Sequence, residues 1–318
     1  MNKIARLFGR RLVHIVPTML LATVVVFVLV HLVPGDTAAA LAGDYASPER
    51  IAEVTRLYGL DKPLVTQYGL WLWRALQGDL GVSLFLNQPV MEVILQRLPN
   101  TLLMGVWAFI IATVFGVSLG VISAVRPGSK VDGFVTILVS LGVAIPSFWL
   151  ALLLVLNFSL RWPLFPSSGA VPFTEDPWNA LYHATLPALA LASSAIAETA
   201  RQVRSALIEV LNSQYIRTLR AKGLSPASIL WKHGLRNISA TLLTVLGLKV
   251  NRLLSGAVVI EAVFAIPGVG GLIAESAIQK DYPVVQGVVL LFVVVVILSN
   301  FVADALSALL DPRVMEAA

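Results

Sequence analysis

Lys249, Asn251 and Arg252 interrupt an otherwise apolar stretch, and Lys249 and Arg252, three residues apart, share one face of any helix that holds them. Charge at membrane depth is costly and usually faces a bundle interior or a wet cavity. Two readings follow. The pair lines a translocation pathway, with Glu261 and Pro146 beside it, and attracts an anionic group such as a carboxylate. Alternatively Glu198, Glu261 or Asp304 neutralises it structurally. Catalytic constellations are otherwise missing from the sequence. Gly268-Val269-Gly270-Gly271 lacks the Lys-Ser/Thr that completes a phosphate loop, so ATP hydrolysis is not expected of this chain. There is no His-Glu-x-x-His pair and no serine in a nucleophile elbow. Asp36 and Asp79 are distant from each other. His14, His31, His183 and His233 are scattered without metal-ligand spacing. The absence of cysteine excludes disulfides and thiol chemistry.

The elements that must position these residues are membrane helices. Of 318 residues, 57% are hydrophobic and only 13% charged, about half the charge of a soluble domain, where roughly a quarter is usual. Six stretches approach the roughly 20 apolar residues a bilayer crossing needs: 12–33, 101–125, 134–160, 183–203, 238–263 and 284–309. The fourth and fifth are weakest because Glu198, Lys249, Asn251 and Arg252 interrupt them. The fold class expected is an all-α polytopic membrane protein. Basic residues between the spans are biased about two to one toward the side holding the N-terminus, which puts both termini in the cytoplasm. This pattern gives the net charge of +5 a topological meaning and argues against a nucleic-acid face. Leu12 to Val33 exceeds a signal peptide's apolar core of roughly 7–15 residues, so it reads as a permanent signal anchor, with cleavage the minor alternative.

Three regions result: 1–33 with the first span, an external subdomain at 34–100, and a five-helix core at 101–318 with a cytoplasmic segment at 204–236. In the subdomain, Ser47-Pro48-Glu49 reads as a cap, a first-turn proline and an acidic first turn, and Gly59 as a stop. Tyr68, Leu72, Trp73 and Leu76 suggest a second amphipathic helix with tryptophan at the interface. Residues 161–182 read as an external loop. Pro146 should kink the third span, and Gly116 with Gly120 should allow close helix packing.

The segment from Gln214 to Asn237 is the most informative. Residues 204–222 are good helix formers, Gly223 can take the left-handed conformation that ends a helix, and Ser225-Pro226 can open another. A helix, a sharp turn and a short helix are expected on the cytoplasmic face. By spacing alone, an ordinary basic loop attracting anionic lipid is an equal reading. The residues Tyr215, Arg217-Thr218, Arg220-Ala221-Lys222-Gly223-Leu224-Ser225-Pro226 resemble the coupling segment of binding-protein-dependent ABC importers of the dipeptide, oligopeptide and nickel class, departing at Leu219. Further stretches are similar to the first of that class's two permeases. They are Val33-Pro34-Gly35-Asp36, Gly59-Leu60-Asp61-Lys62-Pro63, Gly78-Asp79-Leu80-Gly81-Val82-Ser83, Arg97-Leu98-Pro99-Asn100-Thr101, Ile145-Pro146-Ser147-Phe148-Trp149, Asp281-Tyr282-Pro283 and Leu310-Asp311-Pro312-Arg313-Val314.

The resemblance implies a type I importer permease fold in a bacterial inner membrane, moving peptides or similar solutes by alternating access. It also implies partners: a second homologous permease, two ATPase subunits that hold ATP and Mg, and a periplasmic or extracellular substrate-binding protein. No cofactor is expected in this chain. Arg217, Ala221, Lys222, Gly223, Leu224, Ser225 and Pro226 would lie near the ATPase contact. Nickel-chelate or opine transport is the alternative within the class. A secondary transporter would need matched inverted repeats, and none is evident.

Overall fold

The computed structural model describes residues 16–28, 37–43 and 46–310. The basic N-terminus, His14, His31, the Val33–Asp36 motif and the motif's end from Asp311 onward lie outside these described residues. Among the described residues the regular structure is helical, with turns and loops between helices and an isolated bridge between Val82 and Pro89. It divides into two compact units.

One unit comprises the described residues up to Thr101 together with Pro267–Ile297. It contains α1 (Val16–Val28), α2 (Thr37–Ala42), α3 (Pro48–Tyr58), α4 (Leu64–Leu76), the start of α5 (Val90–Val125), α12 (Val269–Ile278) and most of α13 (Tyr282–Leu310). Local chemistry sets these boundaries. Ser47 caps α3 by accepting from the Arg50 amide, Pro48 opens the helix, and Gly59 closes it at φ 66°. The Ser47 hydroxyl also hydrogen-bonds Glu49 and holds its carboxyl below the usual range. Val90, Val93 and Ile94 pack on Val269, Leu272, Val284 and Val288. Two of the sequence motifs meet here. The buried Asp281 carboxylate accepts from the Ser83 hydroxyl and from the Leu84 and Phe85 amides at 3.2 and 3.3 Å. Asn100 donates to the Pro267 carbonyl at 2.9 Å, and the Thr101 hydroxyl accepts from the Val269 amide at 2.8 Å. The glycine run 268–271 is therefore a helix start whose first amide is already satisfied by a side chain.

The other unit runs from Leu102 to Ile266 and resumes at Leu298. Its hub is α8 (Pro177–Leu211), with α6 (Lys130–Ala144), α7 (Ser147–Leu154) and α11 (Leu235–Val263) packed on it. Small side chains make this possible: Ala188, Ala190, Ala192, Ala195, Ala197 and Ala200 are all buried on α8. On α5, Gly116 and Gly120 meet α8 so closely that an added Cβ would lie 2.7 Å from Thr199 Cβ at the first, and 2.7 Å from the Ala200 carbonyl at the second. The small-residue pair is a packing device, as its spacing suggests. The opposite side of α5 exposes Leu102, Val106, Ile110 and Val114, every fourth residue, the stripe that a lipid-facing helix presents.

Among the described residues, three helices are long and apolar enough to cross a membrane: α5, α8 and α13 from Tyr282 to Val302. A fourth candidate is bent. The expected span 134–160 is two helices meeting at 105°, a corner and not the kink that Pro146 predicts. Proline disfavours helical backbone in the residue before it, and Ile145 is extended at ψ 122°. The helix therefore stops at Ala144 and restarts at Ser147. Residues 155–161 continue α7 as a π-helical turn. The expected loop 161–182 is also shorter than its composition suggests, because Asp176 caps α8 and Pro177 occupies its first position.

Candidate functional site

The segment from Gln214 to Gly234 is built from two buried anchors and an exposed surface between them. α8 ends at Leu211, and Ser213 then caps α9 (Gln214–Ala221) by accepting from the Ile216 amide at 3.4 Å. The continuous helix expected over 204–222 is thus broken at Asn212-Ser213, where a capping side chain competes with the helix backbone. Ile216 is completely buried and fixes α9 to its base; burying such a side chain contributes about 2 kcal/mol. Gly223 ends α9 at φ +81°, with its own amide on the Arg220 carbonyl at 2.9 Å and the Leu224 amide on the Leu219 carbonyl at 3.3 Å. This is the paired-bond closure of a left-handed cap.

Ser225 then caps the next helix, accepting from the Ser228 amide at 3.3 Å, with Pro226 at its first position. The short helix expected there is the opening of a longer run. α10 (Pro226–Ser228) passes through a π-helical stretch, Ile229–Gly234, directly into α11. Ile229 is the second buried anchor. Gly234 lies against α8, where a Cβ would come within 3.1 Å of Leu207. Tyr215 on α9 and His233 on the π stretch hydrogen-bond at 2.8 Å and tie the two arms together.

Between the anchors, Arg217, Ala221, Lys222, Gly223, Ser225 and Pro226 are exposed and Leu224 is half-buried. An added Cβ at Gly223 would meet nothing within 4 Å. The result is a rigid, basic, small-residue surface held from beneath. Tyr215 and Trp231 add exposed aromatic area at its edge.

Two charged clusters are centred on α8, which leads into this segment. In the first, Asp132 is buried and accepts from the Arg204 Nε and Nη2 groups at 2.8 Å each, from the Gly128 amide at 2.8 Å and from the Ser123 hydroxyl. Arg204 Nε also donates to Ser123 at 3.0 Å. The α5–α6 turn is thereby locked to α8 about two turns before that helix ends at Leu211. Sequence reasoning missed this cluster. The Ser129-x-x-Asp132 cap is locally readable, and Ser129 accepts from the Asp132 amide at 3.2 Å, but nothing local names Arg204 as a partner.

In the second cluster, Glu198 receives both Lys249 and Arg252 from α11, one on each carboxylate oxygen. Of the three carboxylates considered for neutralising the pair, Glu198 holds both cations. Glu261 is buried twelve residues beyond Lys249 on the same helix, about 18 Å along the axis. The Asp304 side chain is outside the described residues. Pro146 serves as the α6–α7 corner. Asn251 donates to Asn300 at 3.2 Å and accepts from Ser299 at 3.4 Å, extending polar contacts along α11. Among the described residues, no three His, Asp or Glu side chains converge as a metal group would require.

The family model "binding-protein-dependent transport system inner membrane component" matches residues 116–316, and the model of that system's N-terminal membrane component matches residues 4–105. A Brucella abortus (strain 2308) protein provisionally named a peptide transport system permease is 42% identical over 96% of this chain and 97% of its own length. The oligopeptide transport system permease protein AppB of Bacillus subtilis and the dipeptide transport system permease protein DppB of Escherichia coli (strain K12) are each 38% identical over 96% of this chain, covering 98% and 97% of those proteins. Among solved structures, a chain of the MetNI methionine ABC transporter matches with a TM-score of 0.59 at 23% identity, covering 70% of this chain and 97% of that one. That likeness carries the fold. The family and the fold agree with an all-α permease, and the chain belongs to the inner membrane components of binding-protein-dependent transport systems.

Proposed function

We propose that this chain is a permease subunit of an ATP-binding-cassette importer that carries di- or oligopeptides across a bacterial inner membrane. The single observation that carries the mechanism is the exposed surface from Arg217 to Pro226, pinned from beneath by Ile216 and Ile229. Such a surface can transmit a push only if a partner seats on it. That partner is an ATPase subunit, which holds ATP and Mg. Closure of an ATPase pair moves α9 and, through the unbroken helical run from Pro226 to Val263, moves α11 with it. A second permease completes the pathway, and an external binding protein delivers the solute. Names of full-length relatives support peptides as the cargo over nickel chelates or opines.

Both termini are cytoplasmic in this reading. The six crossings are α1, α5, the bent α6–α7 pair, α8, α11 and α13. Basic residue asymmetry supports this orientation.

The test uses the assembled complex. Gly223→Trp places a bulky side chain where open space now exists, at a φ that costs a non-glycine residue about 1–2 kcal/mol. Gly223→Ala introduces the same backbone strain without the bulk. The expected result is ATPase subunits co-purifying with wild type and the Ala variant, and transport-coupled ATP hydrolysis lost with Trp. Equal hydrolysis and uptake in all three would contradict the docking role.

A further inference from the structure

The cluster of Glu198, Lys249 and Arg252 has more positive than negative charge, and its outer edge is open. Lys249 is 7% exposed and Glu198 19%, but Arg252 is 60% exposed. One carboxylate shared by two cations leaves a net charge of +1. Arg201, itself exposed, lies within electrostatic reach of Lys249 and adds to it. Lys249 is at the midpoint of the helix Leu235–Val263, about 21 Å of helix from either end. In the six-crossing reading this is the middle of a membrane span, where a half-exposed guanidinium does not face hydrocarbon. It faces water or another polar surface. Arg252 touches Glu198 through one nitrogen, and a guanidinium has five N–H donors in a planar fork. Among the described residues Glu198 is its one carboxylate partner, and the rest of that fork can take a second carboxylate side-on.

From this geometry we infer that Glu198, Lys249 and Arg252 form a carboxylate-binding station on the transport pathway, with Arg252 receiving the carboxylate of the passing solute. Glu198 has a separate task. It holds both cations in place and lowers the net charge enough that the solute is released. The inference rests on the peptide-permease reading and specifies the chemical group that the pathway recognises.

The experiment uses the complete transporter in proteoliposomes at saturating external binding protein, with trialanine and trialanine amide as probes. The ratio of acid to amide uptake is compared between wild type and variants, so the binding protein's own preference cancels. Arg252→Gln should lower the ratio by about tenfold, the effect of losing one charge-assisted hydrogen-bonded contact, by reducing uptake of the acid alone. Arg252→Lys keeps the charge but loses the fork, and should lie between. An unchanged ratio overturns the proposal. So does an equal fall for both probes, which would assign Arg252 to a carboxylate of the second permease. Failure of both variants to assemble would also overturn it, by assigning Arg252 to structure. If wild type takes up neither probe while hydrolysing ATP, the peptide reading itself fails, a result distinguishable from all of these.

Discussion

Two charged clusters stand six residues apart on α8, around Glu198 and Arg204, and their surroundings are opposite in kind. At Arg204 the acid and base are matched one to one. Asp132 spends its acceptors on a bidentate guanidinium, a serine hydroxyl and a backbone amide. Such a cluster fills the carboxylate's acceptors and fixes geometry. At Glu198 two cations share one acid, and one of them is more exposed than buried. Ion pairs on the same helix can thus be a lock or a receptor. The difference lies in stoichiometry and in which end is open, not in residue type.

The comparison can be broken from the lock side first. Asp132→Ala removes the sole carboxylate of the closed cluster and leaves Arg204 and the Gly128 amide without their acceptor. It should cause the largest loss of assembled, thermally stable transporter of any single change here, measured by yield and thermal unfolding of the solubilised complex. Retention of normal stability would mean that the cluster is ornamental.

Glu198→Gln tests the receptor side and should have a smaller effect. Removing one partner of a buried pair costs about 3 kcal/mol, because Lys249 keeps its charge in a buried position. Adding Lys249→Gln should restore most of the lost thermal stability, since no unpaired buried cation then remains. A double variant less stable than either single one would show that the pair is not the relevant unit. Arg252→Gln should change stability least, by no more than about 0.5 kcal/mol, as befits a side chain facing outward.

Local signals were legible at several helix ends, where one side chain acts on its neighbours. Ser47, Ser225, Pro226 and Gly223 cap or end helices where their types and spacing suggest. The basic segment and its resemblance to a coupling element are legible in the residues themselves. Three features were not legible, each for its own reason. Hydropathy sums over a window, so it does not distinguish a kink at Pro146 from a corner. The outcome depended on Ile145 taking an extended backbone, which ends the hydrogen-bond ladder. Asn212-Ser213 looked like tolerable helix interior because the flanking residues are good helix formers, although Ser213 had the chemistry of a cap. The pairs Asp132–Arg204 and Asp281–Ser83 join residues 72 and 198 apart in sequence, and long-range pairing leaves no periodic trace. Glu198 was among three candidates for neutralising Lys249 and Arg252. Only packing of α8 against α11 could select it.

The central claim is that the surface from Arg217 to Pro226 seats on an ATPase subunit at the cytoplasmic face. The chain contains no cysteine, so Ala221→Cys introduces a single thiol on that surface. In the assembled complex, this thiol should cross-link to an ATPase subunit and resist a membrane-impermeant maleimide added from outside. Labelling from the outside, or an assembled and active complex in which the thiol reaches no other protein, would contradict the account.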